Sequence, residues 1–233
     1  MANEYSRRWF SAFVDTIPVT WTQAEVEAIC RRLPLPDFRR VLDVCCGPAR
    51  HAAFLVQRGY QVTGIDRDES IVAAAREVAP AGNFLVLDMC SLSELRGPFD
   101  AALILWQSFG YFDSATNDQV LADLADVLRP GGRLLVDVYH PGWVMDNQGR
   151  NTDTRSPECD AITNTIVDDR LISTIEYVGG DTDVMNFELF EPSELVARAQ
   201  PAGFKLMEAC CWWDEKRPPE PSEQRYQLVL QRR

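Results

Sequence analysis

Three aspartates in this sequence stand where a carboxylate has chemistry to do. Asp43, Asp66 and Asp88 sit at the ends of three short apolar runs, Val41–Val44, Val62–Ile65 and Phe84–Leu87, and each run reads as a strand leading into a turn. Open parallel sheets bind ligands at the carboxyl ends of their strands, beside the point where strand order reverses. Asp43 neighbours a tight turn, Cys45-Cys46-Gly47-Pro48, and the helix behind that turn offers free N–H groups that favour an anion. Asp66 is placed to take both hydroxyls of a ribose. Asp88 can accept from the exocyclic amine of a purine. One such aspartate is commonly a turn or cap residue; three in register after successive strands point to a nucleoside-bearing ligand.

Two further strand ends, Trp106–Phe112 and Tyr139–Trp143, carry the remaining candidates. His140 is the first choice as general base, because its ordinary pKa lies near working pH, and Tyr111 is the second. His51 falls inside the first helix of the sheet and reads as structural. Trp106, Phe109, Tyr111, Phe112, Tyr139 and Trp143 crowd the same rim. They serve either as packing or as a wall that holds a cation against ring faces.

These residues need a frame. Trp9, Phe10, Phe13 and Ile17 recur at helical spacing until Pro18. Thr22 and Glu25 have capping-box spacing, ahead of an apolar face of Val26, Ile29, Cys30 and Leu33. From Val41 onward strands alternate with helices. Pro48 is expected at the first position of one helix and Gly59 past its end. Asp68–Ala79 reads as the next helix and Ala101–Trp106 as the fourth strand. A stripe of Val120, Leu121, Leu124, Val127 and Leu128 marks another helix, and Pro130-Gly131-Gly132 turns the chain into a fifth strand, Arg133–Tyr139. Five such alternations imply a parallel sheet covered on both faces. Beyond His140 the pattern changes to three short strands, Ile162–Val167, Leu171–Val178 and Val184–Phe190, joined by Asp168-Asp169 and Gly179-Gly180-Asp181. Pro192 opens a last helix, and strands at Phe204–Cys211 and Tyr226–Leu230 finish the chain, with Arg217–Pro221 as the loop between them.

Composition narrows the partners. The 233 residues, 46% of them hydrophobic, suffice for one large domain, and the formal charge is −12. No Lys/Arg run exceeds a pair, so nucleic acid is not the expected partner. No apolar run approaches the ~18 residues of a membrane span, and no signal-like segment opens the sequence. Seven cysteines without Cys-x-x-Cys spacing read as reduced, buried thiols of a cytoplasmic protein, and no metal site is expected.

The motifs also carry a resemblance. VLDVCCGPARHAAFLVQRGYQVTGID resembles motif I and the following acidic position of class I S-adenosylmethionine-dependent methyltransferases of the small-molecule type. NFLVLDM, FDAALILWQSFGYF and LRPGGRLLVDVYHPGW resemble the later motifs, and EPSELVARAQPAGF resembles the helix before the last hairpin. The resemblance is close over residues 38–143 and looser over 185–231. It implies a Rossmann-like α/β fold in one domain: a seven-stranded, mostly parallel sheet with helices on both faces. An N-terminal helical lid (1–36), a cofactor-binding core (37–143), a three-stranded antiparallel cap after strand five (158–190) and a C-terminal helix and hairpin (191–233) would make up the chain. It also implies S-adenosyl-L-methionine as cofactor. Asp43 would then orient the loop and the methionyl amine, Gly47 would allow close approach, Asp66 would hold ribose, and Asp88 with Met89 would hold adenine. Cys45, Arg50, Arg67 and Trp106 would complete that site, while Tyr5, Trp9, Phe109, Tyr111 and Trp143 would enclose a small acceptor. The cap would cover the acceptor or join two copies of the chain. Where the family commonly has glycine this sequence has Cys45 and Ala49, small residues that adopt positive φ less readily.

Two other readings share the sheet. A nicotinamide-dependent oxidoreductase needs G-x-G-x-x-G for its diphosphate, of which this loop supplies one glycine. A protein that binds S-adenosylmethionine without transferring its methyl group would carry the same cofactor motifs.

Overall fold

From its amino end the chain forms helix α1 (Arg8–Phe13), a 3-10 turn (Val14–Thr16) and helix α2 (Val19–Arg32). The structure, a computed structural model, describes residues 6–233. There follow β1 (Arg40–Val44), α3 (Arg50–Gln57), β2 (Gln61–Asp66), α4 (Glu69–Val78), β3 (Asn83–Val86), a 3-10 turn (Met89–Glu94), β4 (Phe99–Ile104), α5 (Ser114–Val127) and β5 (Leu128–Tyr139). Then come α6 (Pro141–Asp146), β6 (Gly149–Asn151), β7 (Cys159–Val167), β8 (Arg170–Tyr177) and β9 (Thr182–Glu188). Helix α7 (Pro192–Ala199), β10 (Phe204–Cys210) and β11 (Arg225–Arg232) complete the chain.

Seven strands form one sheet in the order β10-β11-β5-β4-β1-β2-β3, parallel except that β11 runs against both β5 and β10. Alternation along the strands sends side chains to two cores. Leu42, Ala102, Leu134 and Val136 pack beneath α5 and α7, with Val120, Leu124 and Leu195. Val41, Leu103 and Leu135 face the other way, onto Val26 and Ile29 of α2, Leu55 of α3 and Val72 of α4. Strand order reverses between β1 and β4, so the switch point opens at Val44 and Ile104.

A second, antiparallel sheet in the order β6-β7-β8-β9 forms the cap. Sequence patterning anticipates three of its strands; the fourth, Gly149–Asn151, is too short and polar to read as one and exists only by pairing with Ile162–Asn164. Asp168 and Asp169, both at positive φ, make the two-residue hairpin between β7 and β8. The inner face of the cap, with Leu171, Ile175, Met185 and Phe187, packs on Ala12 of α1 and Val144 of α6.

Three local expectations are corrected. Helix α2 begins at Val19 behind Pro18, whose fixed φ and missing N–H suit a helix start, so Thr22 and Glu25 lie inside the helix and form no capping box. Helix α3 begins at Arg50, not at Pro48, because Ala49 is left-handed at φ 65. Pro130-Gly131-Gly132 is an irregularity within β5 rather than a turn before it, where pairing with β4 shifts register.

Candidate functional site

The loop after β1 is the centre of the site. Cys45, Gly47 and Ala49 all take positive φ, of 57, 53 and 65. Two of the three are not glycine, which costs of order 1 kcal/mol each and is held by the surrounding structure. Cys46 N–H donates to Ile65 C=O at 2.9 Å, and Gly47 N–H donates to Asp66 Oδ2 at 3.1 Å. The loop is thus moored to the end of β2. A Cβ on Gly47 would stand 3.4 Å from the Phe10 ring, so the lid lies directly over the loop. All seven cysteines are free. Burial pushes the Cys45 and Cys46 thiols up, which leaves neither as a thiolate.

The three aspartates are gathered here with different partners. Asp43 is 4% exposed, and its Oδ2 has no hydrogen-bond partner among the described residues. Burial pushes its carboxyl up to about 7, Arg50 pulls it down and the charge of Asp66 adds to the rise. The Asp66 carboxylate accepts from the Gly47 and Asp68 amides, and burial also raises it. Asp88 accepts from Cys90 N–H at 2.9 Å. A cavity of about 220 Å³ is lined by Asp43, Cys45, Gly47, Arg50, His51, Asp66, Trp106 and Tyr111, and by Trp9, Phe10, Phe13, Ile17 and Trp21 of the lid. A smaller cleft of about 30 Å³ adjoins it, sharing Cys45, Asp66 and Tyr111 and adding Arg67, Leu87, Asp88, Met89 and Phe112.

One wall depends on a residue that the sequence alone presents as a cap. Glu25 accepts from Trp106 Nε1 at 2.8 Å and from Arg50 at 2.9 Å, and lies 2.9 Å from His51 Nε2. Burial opposes its ionisation, but His51, Arg50 and the Trp106 N–H together hold its carboxyl down at about 2. His51 is itself pushed down by burial and by Arg50, so it is neutral near pH 7 and its contact with Glu25 is a hydrogen bond. The Arg50 and Arg225 guanidiniums each lie 4.4 Å from the centre of the Trp106 ring. Trp106 and Gln107 have φ of 55 and 62, an uncommon pair outside glycine. Buried Asp137 restrains that turn by accepting from Trp106 N–H, Arg225 and Gln227.

Of the expected acceptor residues, Trp9 and Tyr111 line the cavity. Tyr5 lies outside the described residues. Phe109 and Trp143 do not line it: Phe109 packs on Phe190 in the core, and Trp143 stacks on Tyr139. The structure does not bring His140 to the cavity either. It is 2% exposed, its Nδ1 accepts from Gly142 N–H as the N-terminal cap of α6, and its ring meets Tyr226 edge-on. His140→Ala is expected to cost about 1 kcal/mol of stability through the lost cap, with cofactor affinity unchanged. Denaturation and calorimetry on the same preparation check this; a fully stable variant that has lost transfer activity would return His140 to the chemistry. Glu25, His51, Phe13, Trp21 and Arg155 line or shape the cavity without a sequence signal for it.

Comparisons with known proteins find methyltransferases. Residues 41–132 match the methyltransferase domain family. The demethylmenaquinone methyltransferase of Thermus thermophilus is 33% identical over 127 residues, 52% of this chain and 54% of that protein. The chain spans between 40% and 61% of the length of the curated relatives it matches. A crystal structure of an S-adenosylmethionine-dependent methyltransferase from Clostridium acetobutylicum superposes with a TM-score of 0.79 at 15% identity, covering 97% of this chain and 96% of that one. The amino pentose methyltransferase CalS10 from Micromonospora echinaspora, solved with S-adenosylmethionine bound, gives 0.74 at 21% identity over 100% of both chains. At these identities the structural likeness establishes the fold.

Proposed function

We propose, from the premise that residues 41–132 form a methyltransferase domain of the S-adenosylmethionine-dependent fold, that the chain methylates a small amine or hydroxyl acceptor. The observation that carries this reading is Asp43. A buried carboxylate oxygen without a partner among the described residues is costly, and Asp43 lines the cavity beside the Gly47 loop. An ammonium group meets that need. The sulfonium cofactor carries one on its methionyl end, and the ribose and adenine acids Asp66 and Asp88 follow along the adjoining cleft.

When bound, the cofactor supplies a methyl carbon on a cationic sulfur; the acceptor lone pair forms the new bond to carbon as the C–S electron pair returns to sulfur, and the acceptor proton passes to a base or to water. The chain's part is to orient and to exclude water. Asp43 would hold the amine, Asp66 the ribose hydroxyls, and the Gly47 loop would let the donor approach the backbone. Trp106, fixed by Glu25 and flanked by two arginines, forms the wall on the methionyl side. Tyr111 lines both cavities and is the candidate to meet the acceptor proton. The lid residues Trp9, Phe10 and Phe13 close the solvent side.

Calorimetry should give a micromolar dissociation constant for S-adenosylhomocysteine, about −8 kcal/mol, and no binding of NAD; the opposite preference defeats the proposal. Labelled methyl transfer to any member of a metabolite panel separates an enzyme from a protein that only binds the cofactor. Asp66→Ala should weaken S-adenosylhomocysteine binding by about 1.5–3 kcal/mol, the worth of hydrogen bonds to a charged group. An unchanged constant in a folded variant would leave Asp66 as a mooring for the Gly47 loop alone.

A further inference from the structure

We propose that the acceptor carries a carboxylate and that Arg155 binds it; this rests on the methyltransferase reading above and names the substrate class of that same cavity. Two arginines line the cavity, and they differ. Arg50 is committed to Thr22, Glu25 and the Trp106 ring. Arg155 has no carboxylate within ion-pair distance and no hydrogen-bond partner among the described residues; its one ring contact is Trp21, 5.5 Å from the guanidinium carbon. An exposed guanidinium set against an aromatic face and without a partner among the described residues matches a planar carboxylate, which it can grip with two parallel N–H donors.

The backbone supports this placement. Arg155 has a φ of 58, an uncommon conformation for a residue with a long side chain. Both flanks are tied down: the Thr154 hydroxyl donates to the Ser156 and Cys159 carbonyls, and buried Ser156 accepts from Glu158 N–H. The segment therefore fixes where the guanidinium starts, and Trp21 of α2 sets where it ends.

Charge along the cavity is divided. The acids Asp43 and Asp66 lie at the strand ends, where the cationic donor is placed, and Arg155 stands on the segment between β6 and β7 of the cap. The protein as a whole is strongly acidic, at −12, so an anion is attracted only where a cation is near and unpaired. Screening over a Debye length of about 8 Å leaves such a local site effective. Much of the rest of the lining is apolar, with Trp9, Phe13 and Ile17 from the lid. The ligand this describes has an apolar or aromatic body, a carboxylate at one end and the nucleophile toward the donor.

A carboxylate on Arg155 has two sources, the acceptor or the methionyl end of the cofactor, and the test separates them. Wild type and Arg155→Met are first titrated with S-adenosylhomocysteine, and the loaded proteins are then titrated with phenylacetate and with its neutral isostere phenylacetamide. Loaded wild type should bind phenylacetate at least ten-fold more tightly than phenylacetamide. Arg155→Met should abolish that preference with S-adenosylhomocysteine affinity within two-fold of wild type, and Arg155→Lys, which keeps the charge, should retain part of it. Equal affinities for the two probes, no binding of either, or a preference that survives in Arg155→Met overturns the proposal. A ten-fold loss of S-adenosylhomocysteine affinity in Arg155→Met gives the carboxylate to the cofactor and overturns it too. Failure of wild type to bind S-adenosylhomocysteine is a different result, because it removes the methyltransferase reading itself and this inference with it.

Discussion

Asp43→Asn should make the ligand-free protein more stable and the cofactor complex weaker. In the folded chain the Asp43 carboxyl is pushed up to about 7 from an ordinary 3.8, chiefly by burial. Between those two values the folded state keeps a proton that the unfolded chain has released, so stability falls as pH rises through that window. Above about 7 the cost is constant. A shift of this size bounds the cost at about 4 kcal/mol, and an amide in place of the carboxylate should recover about 1–3 kcal/mol of it, with its own burial subtracting the rest. At this chain length that is several degrees of melting temperature, ~2–4 °C per kcal/mol. The gain should be present at pH 8 and absent at pH 4. Binding moves the other way. In the proposed role an ionised Asp43 would accept from the cofactor ammonium, so wild-type affinity for S-adenosylhomocysteine should climb as pH rises through about 7. Asp43→Asn should lose ten-fold or more and lack that climb. Thermal melts at both pH values and calorimetry across pH 6–8 check this; a variant less stable than wild type at pH 8, or one that binds equally well, means that Asp43 has a partner of another kind.

Glu25→Ala should be the most damaging single change in the wall of the cavity. It removes the acceptor shared by Arg50, His51 and Trp106 and leaves a largely buried guanidinium without its counter-charge. Removing one partner of such a pair costs about 3–5 kcal/mol when burial is complete; with Glu25 and Arg50 side chains 19% and 15% exposed, about 2–4 is expected. Glu25→Gln keeps an acceptor for the indole N–H but loses the charge, so it should fall between. The pH dependence identifies the cause. The Glu25 carboxyl is held at about 2 against an ordinary 4.5, so its stabilisation is fully present above about 4.5 and is lost as pH falls toward 2. The gap between wild type and Glu25→Ala in denaturant melts should therefore narrow from pH 5 to pH 2.5. A gap that stays constant would trace the loss to packing. Because Trp106 borders the cavity proposed to hold the donor, the variant should also bind S-adenosylhomocysteine more weakly; normal affinity in a folded variant would detach Glu25 from the site.

The sequence by itself determined the parts of this protein that depend on near neighbours along the chain. Alternating and helical periodicities place β1 to β4, α3 and α4 within about two residues and locate α5 and β5 without their starts, because burial on one or two faces imposes those periods on the residues concerned. The placement of Asp43, Asp66 and Asp88 beside the two cavities is legible for the same reason: a residue that ends a strand of a parallel sheet comes to that edge whatever the rest of the chain does. Tertiary structure alone decided the far wall of the cavity. His140 has the chemistry of a base, yet the short α6 takes it as a cap and Tyr226 covers it. Glu25 has the spacing of a cap, yet Pro18 starts its helix early and turns it toward Trp106, 81 residues away. Arg155 lies in a polar stretch without periodicity, and only the docking of the cap beside α2 sets its guanidinium against Trp21 at the cavity mouth. Such contacts join segments whose separation leaves no trace in local patterning, because what selects them is the shape of the packed chain and the charge left unpaired within it.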